Sequence, residues 1–345
     1  MSLLVSQNPV ARPAVDLVPA GADEALSIST QQRIIESVPD STRRVYAGDW
    51  SRFTAWCATA GRTALPATAA TLAEYVDTLA GAGKAPSTIE RAQAAIVTAH
   101  RTAGHPRPDT TLSRAVLRAY RRERAQNGAT IRKATPASVR ALRLMLDGLN
   151  PATVAGLRDR ALLLLGFALA ARRSELAALN IEDLNETAEG IEVLIRTSKT
   201  DRESAGRTVA VPRGARTGTC PVKAVQAWLA LLAGHGRTSG PLFLRVDRWG
   251  QLGRAPSGRG TPDGRLTGQA VATVVRRAAL AAGLDPDALW SGHSLRRGLA
   301  TEARRAGHDQ IRIGRHGGWV DGSRALAGYV EDADRWADSP LVGLL

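Results

Sequence analysis

The chain has 345 residues, 44% of them apolar, with 46 Lys and Arg against 32 Asp and Glu for a formal net charge of +14. That length allows two domains with separate cores, and the excess is mostly Arg, whose planar fork of donors suits phosphate, so a polyanion is the natural partner. The longest apolar run, Ala161 to Ala171, is core-helix length and falls short of the roughly 18 residues of a membrane span. Charge alone leaves a general basic bias or ribosome association open as the plainer reading.

Cys57 and Cys220 lie far apart with no Cys/His spacing that would hold zinc, so no metal and no cofactor is expected. They read as buried thiols of a reducing cytosol, and no charged flank followed by an apolar block marks a secretion signal. A cytoplasmic location with no membrane partner is the expectation.

Residues 1–28, rich in Ala, Pro, Val and Ser without periodicity, read as a mobile tail. An all-α domain follows over 29–127. Asp40-Ser41 is set to cap a helix running to about Ala60 and stopped by Gly61, with Val45, Trp50, Phe53 and Trp56 as a core face. A second helix spans about 69–80 and ends in Gly81-Ala82-Gly83. Ser87-Thr88-Ile89-Glu90 has the form of a capping box opening a third helix to about Ala103. A fourth runs over about 111–126. Lys84, Arg91, Arg101, Arg114, Arg118, Arg121, Arg122 and Arg124 would give this domain a basic face for DNA backbone contact, the alternative being a solvated charged surface. Residues 128–135 read as a polar, basic linker, with Arg132 and Lys133 as further DNA contacts.

The second domain, 136–345, opens at Pro136, a good first helical residue, with helices over about 137–147 and 157–171. After Arg172-Arg173-Ser174-Glu175-Leu176 come strands Ile191 to Arg196 and Thr208 to Val211, joined by a polar turn containing Lys199. Helices resume at Val222 to Ala233 and Gly268 to Ala282. Between them, residues 247–266 are loaded with Gly, Pro, Arg and Asp and read as a flexible loop. Next comes Gly292-His293-Ser294-Leu295-Arg296-Arg297, where His293 and Arg296, three apart at a helix start, leave one face and can grip a phosphate. Tyr329, one of four tyrosines, is a candidate nucleophile. Tyr46, Tyr75 and Tyr120 lie in the first domain and read as packing or phosphate contacts.

Taken in order, Arg172-x-x-Glu175-Leu176, Lys199 on a hairpin, His293-x-x-Arg296, Gly318-Trp319 and Tyr329 resemble the tyrosine recombinases of the phage-integrase superfamily, over roughly residues 40–340. The resemblance implies a mainly α fold: a two-domain DNA clamp, with an all-α core-binding N-terminal domain and an α-rich catalytic domain holding a small antiparallel sheet. A phosphodiester under attack gathers charge on its non-bridging oxygens, which Arg172 and Arg296 would neutralise with bidentate donors. Arg173 reads as a surface ion pair. The resemblance further implies that Glu175 orients its neighbours, Lys199 is the general acid, and His293 binds the phosphate or takes the phenolic proton. Trp319 would donate its indole N–H to a phosphate oxygen, with His316 as a competitor for that place.

Tyr329 would form a 3′-phosphotyrosyl link and free a 5′ hydroxyl. Trp319 and Tyr329 stand ten residues apart, one more than the family spacing, so Val320 to Ser323 is expected to bulge. The implied partners are double-stranded DNA with an inverted-repeat site and further copies of the chain, two sites meeting in a homo-tetramer that exchanges strands through a Holliday junction. In the tail, Trp336, Leu341, Val342, Leu344 and Leu345 are apolar anchors that dock on a neighbouring subunit or pack in cis. A type IB topoisomerase, and an architectural or regulatory DNA-binding protein without catalysis, are the competing readings.

Overall fold

The computed structural model describes residues 27–130, 132–198, 206–253, 260–334, 341, 342 and 344. The chain forms two compact units that divide between Ile131 and Arg132. The expectations placed on Lys199, on Trp336 and Leu345, and on the tail up to residue 26 lie outside the described residues.

Among the described residues the first unit holds five helices, α1 (Ile28–Glu36), α2 (Asp40–Thr59), α3 (Ala69–Gly81), α4 (Pro86–Thr102) and α5 (Thr111–Gln126). Phe53, Leu72, Tyr75 and Ile96 close one half of its core, and Val76, Ile89 and Leu117 the other. The aromatic residues of α2 are core, as Phe53 stands 5.0 Å from Tyr75 and Trp56 stands 5.1 Å from it. Val45 is not part of that face. The buried residues of α2 begin at Asp49, and Val45 stays exposed before it.

Both expected caps here are corrected. Pro39 is the N-cap of α2 and makes no side-chain cap, while Asp40 lies within the helix and pairs with Arg43. In α4 Pro86 takes the first turn, where its missing N–H costs nothing, and no side chain caps it. Glu90 therefore turns outward to Arg121, at 2.5 Å.

The second unit holds α6 (Val139–Asp147), α7 (Val154–Ala168), α8 (Arg173–Ala178), β1 (Leu184–Glu186), β2 (Gly190–Ile195), β3 (Arg207–Pro212), α9 (Pro221–Gly234), α10 (Gly268–Ala281), α11 (Gly292–Arg305), α12 (Gln310–Gly317) and α13 (Arg324–Asp334). Helix α6 starts three residues after Pro136, because Ser138 accepts from the Ala141 N–H and sets the start there. Ala161 to Leu165 of α7 are all buried, so this helix is apolar on every side and forms the axis of the unit. A Cβ on Gly166 would lie 2.7 Å from Leu176 and 2.9 Å from Leu295, which is where α8 and α11 cross α7.

Strands β1, β2 and β3 form one antiparallel sheet in that order, with Val193 opposite both Leu184 and Val209. Ile191, Val193 and Ile195 face the core with Val209 and Val211, as period-two alternation requires. The first strand, Leu-Asn-Glu, has no such alternation to announce it. The described parts of 247–266 are tied down rather than loose. Arg265 donates to the carbonyls of Ala177, Ala178 and Leu179 and so satisfies the end of α8. Residues 254–259 lie outside the described residues. No described helix is long and apolar enough to cross a membrane.

Candidate active site

The start of α11 is fixed by a reciprocal cap. Ser291 accepts from the His293 N–H at 3.2 Å, and Ser294 Oγ accepts from the Ser291 N–H at 3.1 Å. His293 and Arg296 leave this first turn on one face, as their spacing required. A Cβ on Gly292 would lie 2.9 Å from Arg173, so the starts of α8 and α11 meet here. Arg172, His293, Arg296, Trp319 and Tyr329 line one open pocket of about 560 Å³.

Arg296 is 1% exposed. Its Nη1 donates to the carbonyls of Ala170 at 2.5 Å and Gly317 at 2.7 Å, and its Cζ lies 3.6 Å from the centre of the Trp319 ring. Ala170 holds a left-handed φ of 47°, a costly conformation outside glycine that turns its carbonyl onto the guanidinium. Nη2 is buried with no hydrogen-bond partner among the described residues. Burial, then the neighbouring Arg172, push the Arg296 pKa down to about 9, which leaves it charged at neutral pH.

Arg172 caps α8 and is held by Glu175. The carboxylate accepts from Arg172 Nη1 at 2.5 Å and from the Arg172 backbone N–H at 2.9 Å. Arg172 Nη1 also stands 3.4 Å from Ser198 Oγ, the residue before Lys199. Lys199 itself lies outside the described residues. Arg173 is exposed and donates to Gln269 Oε1 at 3.1 Å, so an amide takes the place of the expected ion pair.

Tyr329, half-buried on α13, has its hydroxyl 2.7 Å from His293 Nε2. Its ring meets those of His293 and Trp319 edge-on, at 6.1 and 6.2 Å. Burial raises the phenol pKa, and Arg297, Arg296 and Arg172 act against it. The imidazole opens to solvent at the pocket mouth, yet its packed inner edge lowers its pKa, aided by Arg296, Arg297, Arg172 and Arg173. A neutral imidazole can accept the phenolic proton.

The ten-residue interval is absorbed in a turn, with the Ser323 N–H donating to Val320 O at 3.1 Å and Gly322 at a φ of 71°. His316 Nε2 lies 2.6 Å from the Ala168 carbonyl, whereas Trp319 lines the pocket. Two arginines escaped the sequence reading. Arg207, opening β3, donates from Nη1 to the His316 carbonyl at 2.7 Å, and its Nη2 stands 3.8 Å from Glu175. A Cβ on Gly318 would lie 2.5 Å from Arg207 Nε, so the turn before Trp319 is shaped around this side chain. The second, Arg297, follows Arg296 directly. No spacing rule marks either among 46 basic residues.

The arginines expected on the first unit divide. Arg114, Arg118 and Arg121 line an open groove of about 550 Å³ with Arg107, which the sequence reading passed over. Lys84, Arg101 and Arg122 are exposed. Arg91 is held by buried Asp49 at 2.8 Å. In the second unit Arg132 donates to the Asp287 carbonyl, and Lys133 stands 3.3 Å from Asp332.

The phage integrase family profile matches residues 137–335. The chain is 35% identical over 323 residues to the integrase/recombinase xerD homolog of Selenomonas ruminantium, covering 92% of this chain and 89% of that one. It is 25% identical over 340 residues to the recombinase cre of Escherichia phage P1, covering 96% and 95%. Among solved structures, a lambda integrase dimer bound to a COC′ core site shares the fold with a TM-score of 0.58 at 15% identity, over 89% of this chain and 77% of that one. The chain belongs to the phage integrase family, within the tyrosine recombinase superfamily.

Proposed function

We propose that the chain is a site-specific recombinase that cleaves and rejoins double-stranded DNA through Tyr329. The observation that carries this reading is the 2.7 Å approach of the Tyr329 hydroxyl to His293 Nε2 in the pocket that Arg172 and Arg296 also line. The phenol oxygen attacks phosphorus as His293 takes its proton. Arg172 and Arg296 hold the two non-bridging oxygens, whose charge grows in the transition state. Arg296 Nη2, buried and without a partner among the described residues, supports that role. Trp319 fixes Arg296 from below and offers its indole N–H to the phosphate. Glu175 sets the Arg172 fork.

The bond to the 5′ oxygen breaks as the 3′-phosphotyrosyl bond forms, and Lys199 supplies the proton that makes the leaving group a hydroxyl rather than an alkoxide. Ser198, the residue before Lys199, has its hydroxyl 3.4 Å from Arg172 Nη1, which supports this reading. The number of phosphoester bonds is unchanged, so rejoining is the reverse step and draws on no nucleotide hydrolysis. Relatives named as recombinases support exchange between two sites. Two protomers on inverted arms, two sites in a tetramer and a Holliday junction between paired exchanges complete the proposal.

Tyr329→Phe tests it. The variant is expected to bind duplex DNA as the parent does and to form no covalent adduct on a nicked suicide substrate; an adduct surviving the change overturns the assignment. Exchange between two sites, compared with relaxation of plasmid lacking the site, separates recombinase from topoisomerase.

A further inference from the structure

Arg297 is 5% exposed, and its guanidinium is committed to three neighbours within the protein. Nη2 donates to Asp332 Oδ2 at 2.7 Å, Nη1 donates to the Ala134 carbonyl, and Cζ lies 5.0 Å from the centre of the Tyr329 ring. Asp332 follows Tyr329 by three residues on α13, so the two side chains leave neighbouring positions of one helical face. Its carboxylate also meets Lys133 Nζ at 3.3 Å. The segment entering the second unit, α11 and α13 are thus joined at a single carboxylate.

Burying an arginine is costly unless its donors are met by partners of good geometry. An apolar contact would hold two helices together at less cost, and Leu326 with Ala300 and Ile313 already supplies one. A small apolar contact fixes the rotation of a helix about its own axis only loosely. A guanidinium that donates to a carboxylate through one nitrogen and to a backbone carbonyl through the other holds it more sharply, because hydrogen bonds are directional. Helix α13 is a place for such a device, for among the described residues Leu326 is its one buried apolar side chain, with Tyr329 and Val330 only partly buried beside it.

We propose that Arg297 and Asp332, seated on Lys133 and the Ala134 carbonyl, form a latch that sets the rotation and depth of α13 and so holds the Tyr329 oxygen against His293. The inference rests on Tyr329 being the nucleophile, and Arg297 is in that case a positioning residue. Its charge has a second effect. The titratable groups facing the phenol are the His293 imidazole and the charged Arg296 and Arg297 from α11 and Arg172 from the start of α8, while α12 faces α13 with Ile313 and Gly314. Of the cations that oppose the upward push of burial on the phenol, Arg297 is the foremost.

The test uses the full chain with Arg297→Gln, Arg297→Lys, Asp332→Asn and Tyr329→Phe. Without DNA, hydrogen exchange reads the anchoring of α13, and phenolate absorbance against pH, differenced against Tyr329→Phe, reads that one phenol. Adduct formation is then followed on nicked duplexes of a sequence the chain itself selects from random DNA. Asp332→Asn and Arg297→Gln are expected to speed exchange in α13, leave duplex affinity unchanged and slow adduct formation by about a hundredfold, the cost of a nucleophile misplaced by about 1 Å.

Arg297→Gln should also raise the phenol titration. Arg297→Lys should restore it while anchoring α13 less well, since an ammonium lacks the fork that spans Asp332 and Ala134. Parental adduct rates with unchanged exchange in both Gln and Asn variants overturn the latch. If Arg297→Gln does not fold, Asp332→Asn decides alone, at a part-exposed position. An adduct formed by Tyr329→Phe overturns the parent reading instead, and the DNA-free measurements still report on the latch.

Discussion

His293 meets the Tyr329 hydroxyl with four arginines around it, and burial followed by those charges pushes its pKa below the usual imidazole value of about 6.5. The ring is therefore neutral through the physiological range and able to accept a proton. Its accepting form is lost only as pH falls through the lowered pKa, so the acid limb of adduct formation is expected below the ordinary imidazole range. His293→Gln keeps a hydrogen-bonding group but takes no proton, and should abolish that limb while slowing cleavage about 10²- to 10⁴-fold. Rates of trapped adduct against pH check this; an acid limb persisting in the Gln variant assigns it to another group. The same shift has one consequence for folding. As pH falls, the unfolded chain takes up this proton before the folded one does, so stability drops below the unfolded imidazole value, and the Gln variant should lose less of it.

The elements differ in how far the sequence announces them, and α11 is where local sequence and site geometry are most tightly joined. Ser291 and Ser294 exchange hydrogen bonds across its first turn, and the Ser291 hydroxyl receives the N–H of His293 itself. Ser291→Ala should cost about 1 kcal/mol, as lost N-caps do, read as a fall in melting temperature, together with a slower adduct rate as His293 loses its seat. A loss of stability with an unchanged rate would show that packing alone orients the imidazole. The hairpin and α7 were legible because period-two alternation and an unbroken apolar run depend on residues near in sequence. Ser87 to Glu90 misled because Pro86 could open the helix by itself, leaving Glu90 for Arg121. The eight-residue α12 and three-residue β1 are too short for a period to declare itself, although β1 gains its partner from β2. At the site, the order of Arg172, His293, Arg296, Trp319 and Tyr329 was visible. Arg207 and Arg297 were not, since what marks them is the carbonyls and carboxylates they reach across 109 and 35 residues of chain.

Across the whole molecule a formal charge of +14 predicts salt-sensitive binding to DNA, but charge is not contact, and the first unit shows why. Arg91 and Arg52 both hold the carboxylate of Asp49, which is 2% exposed; burial pulls its pKa up, and the two guanidinium groups together outweigh that and lower it. Arg114 and Arg118, one turn apart on α5, are exposed and line the groove with Arg107. Two arginine surfaces of equal formal charge should therefore fail in different ways. Arg114→Gln with Arg118→Gln is expected to leave the melting temperature alone and to lower the slope of log affinity against log salt by about two, about one for each phosphate that is no longer neutralised. Arg91→Gln is expected to change that slope less and to destabilise the fold by about 1 to 3 kcal/mol, because Asp49 keeps its burial and loses two of its donors. Titration of one duplex at several salt concentrations, beside thermal melts of each variant, distinguishes the two. If Arg91→Gln lowers the slope as the double variant does while melting as the parent, then Asp49 yields Arg91 to DNA, and the groove between α4 and α5 is not the sole electrostatic contact among the arginines tested.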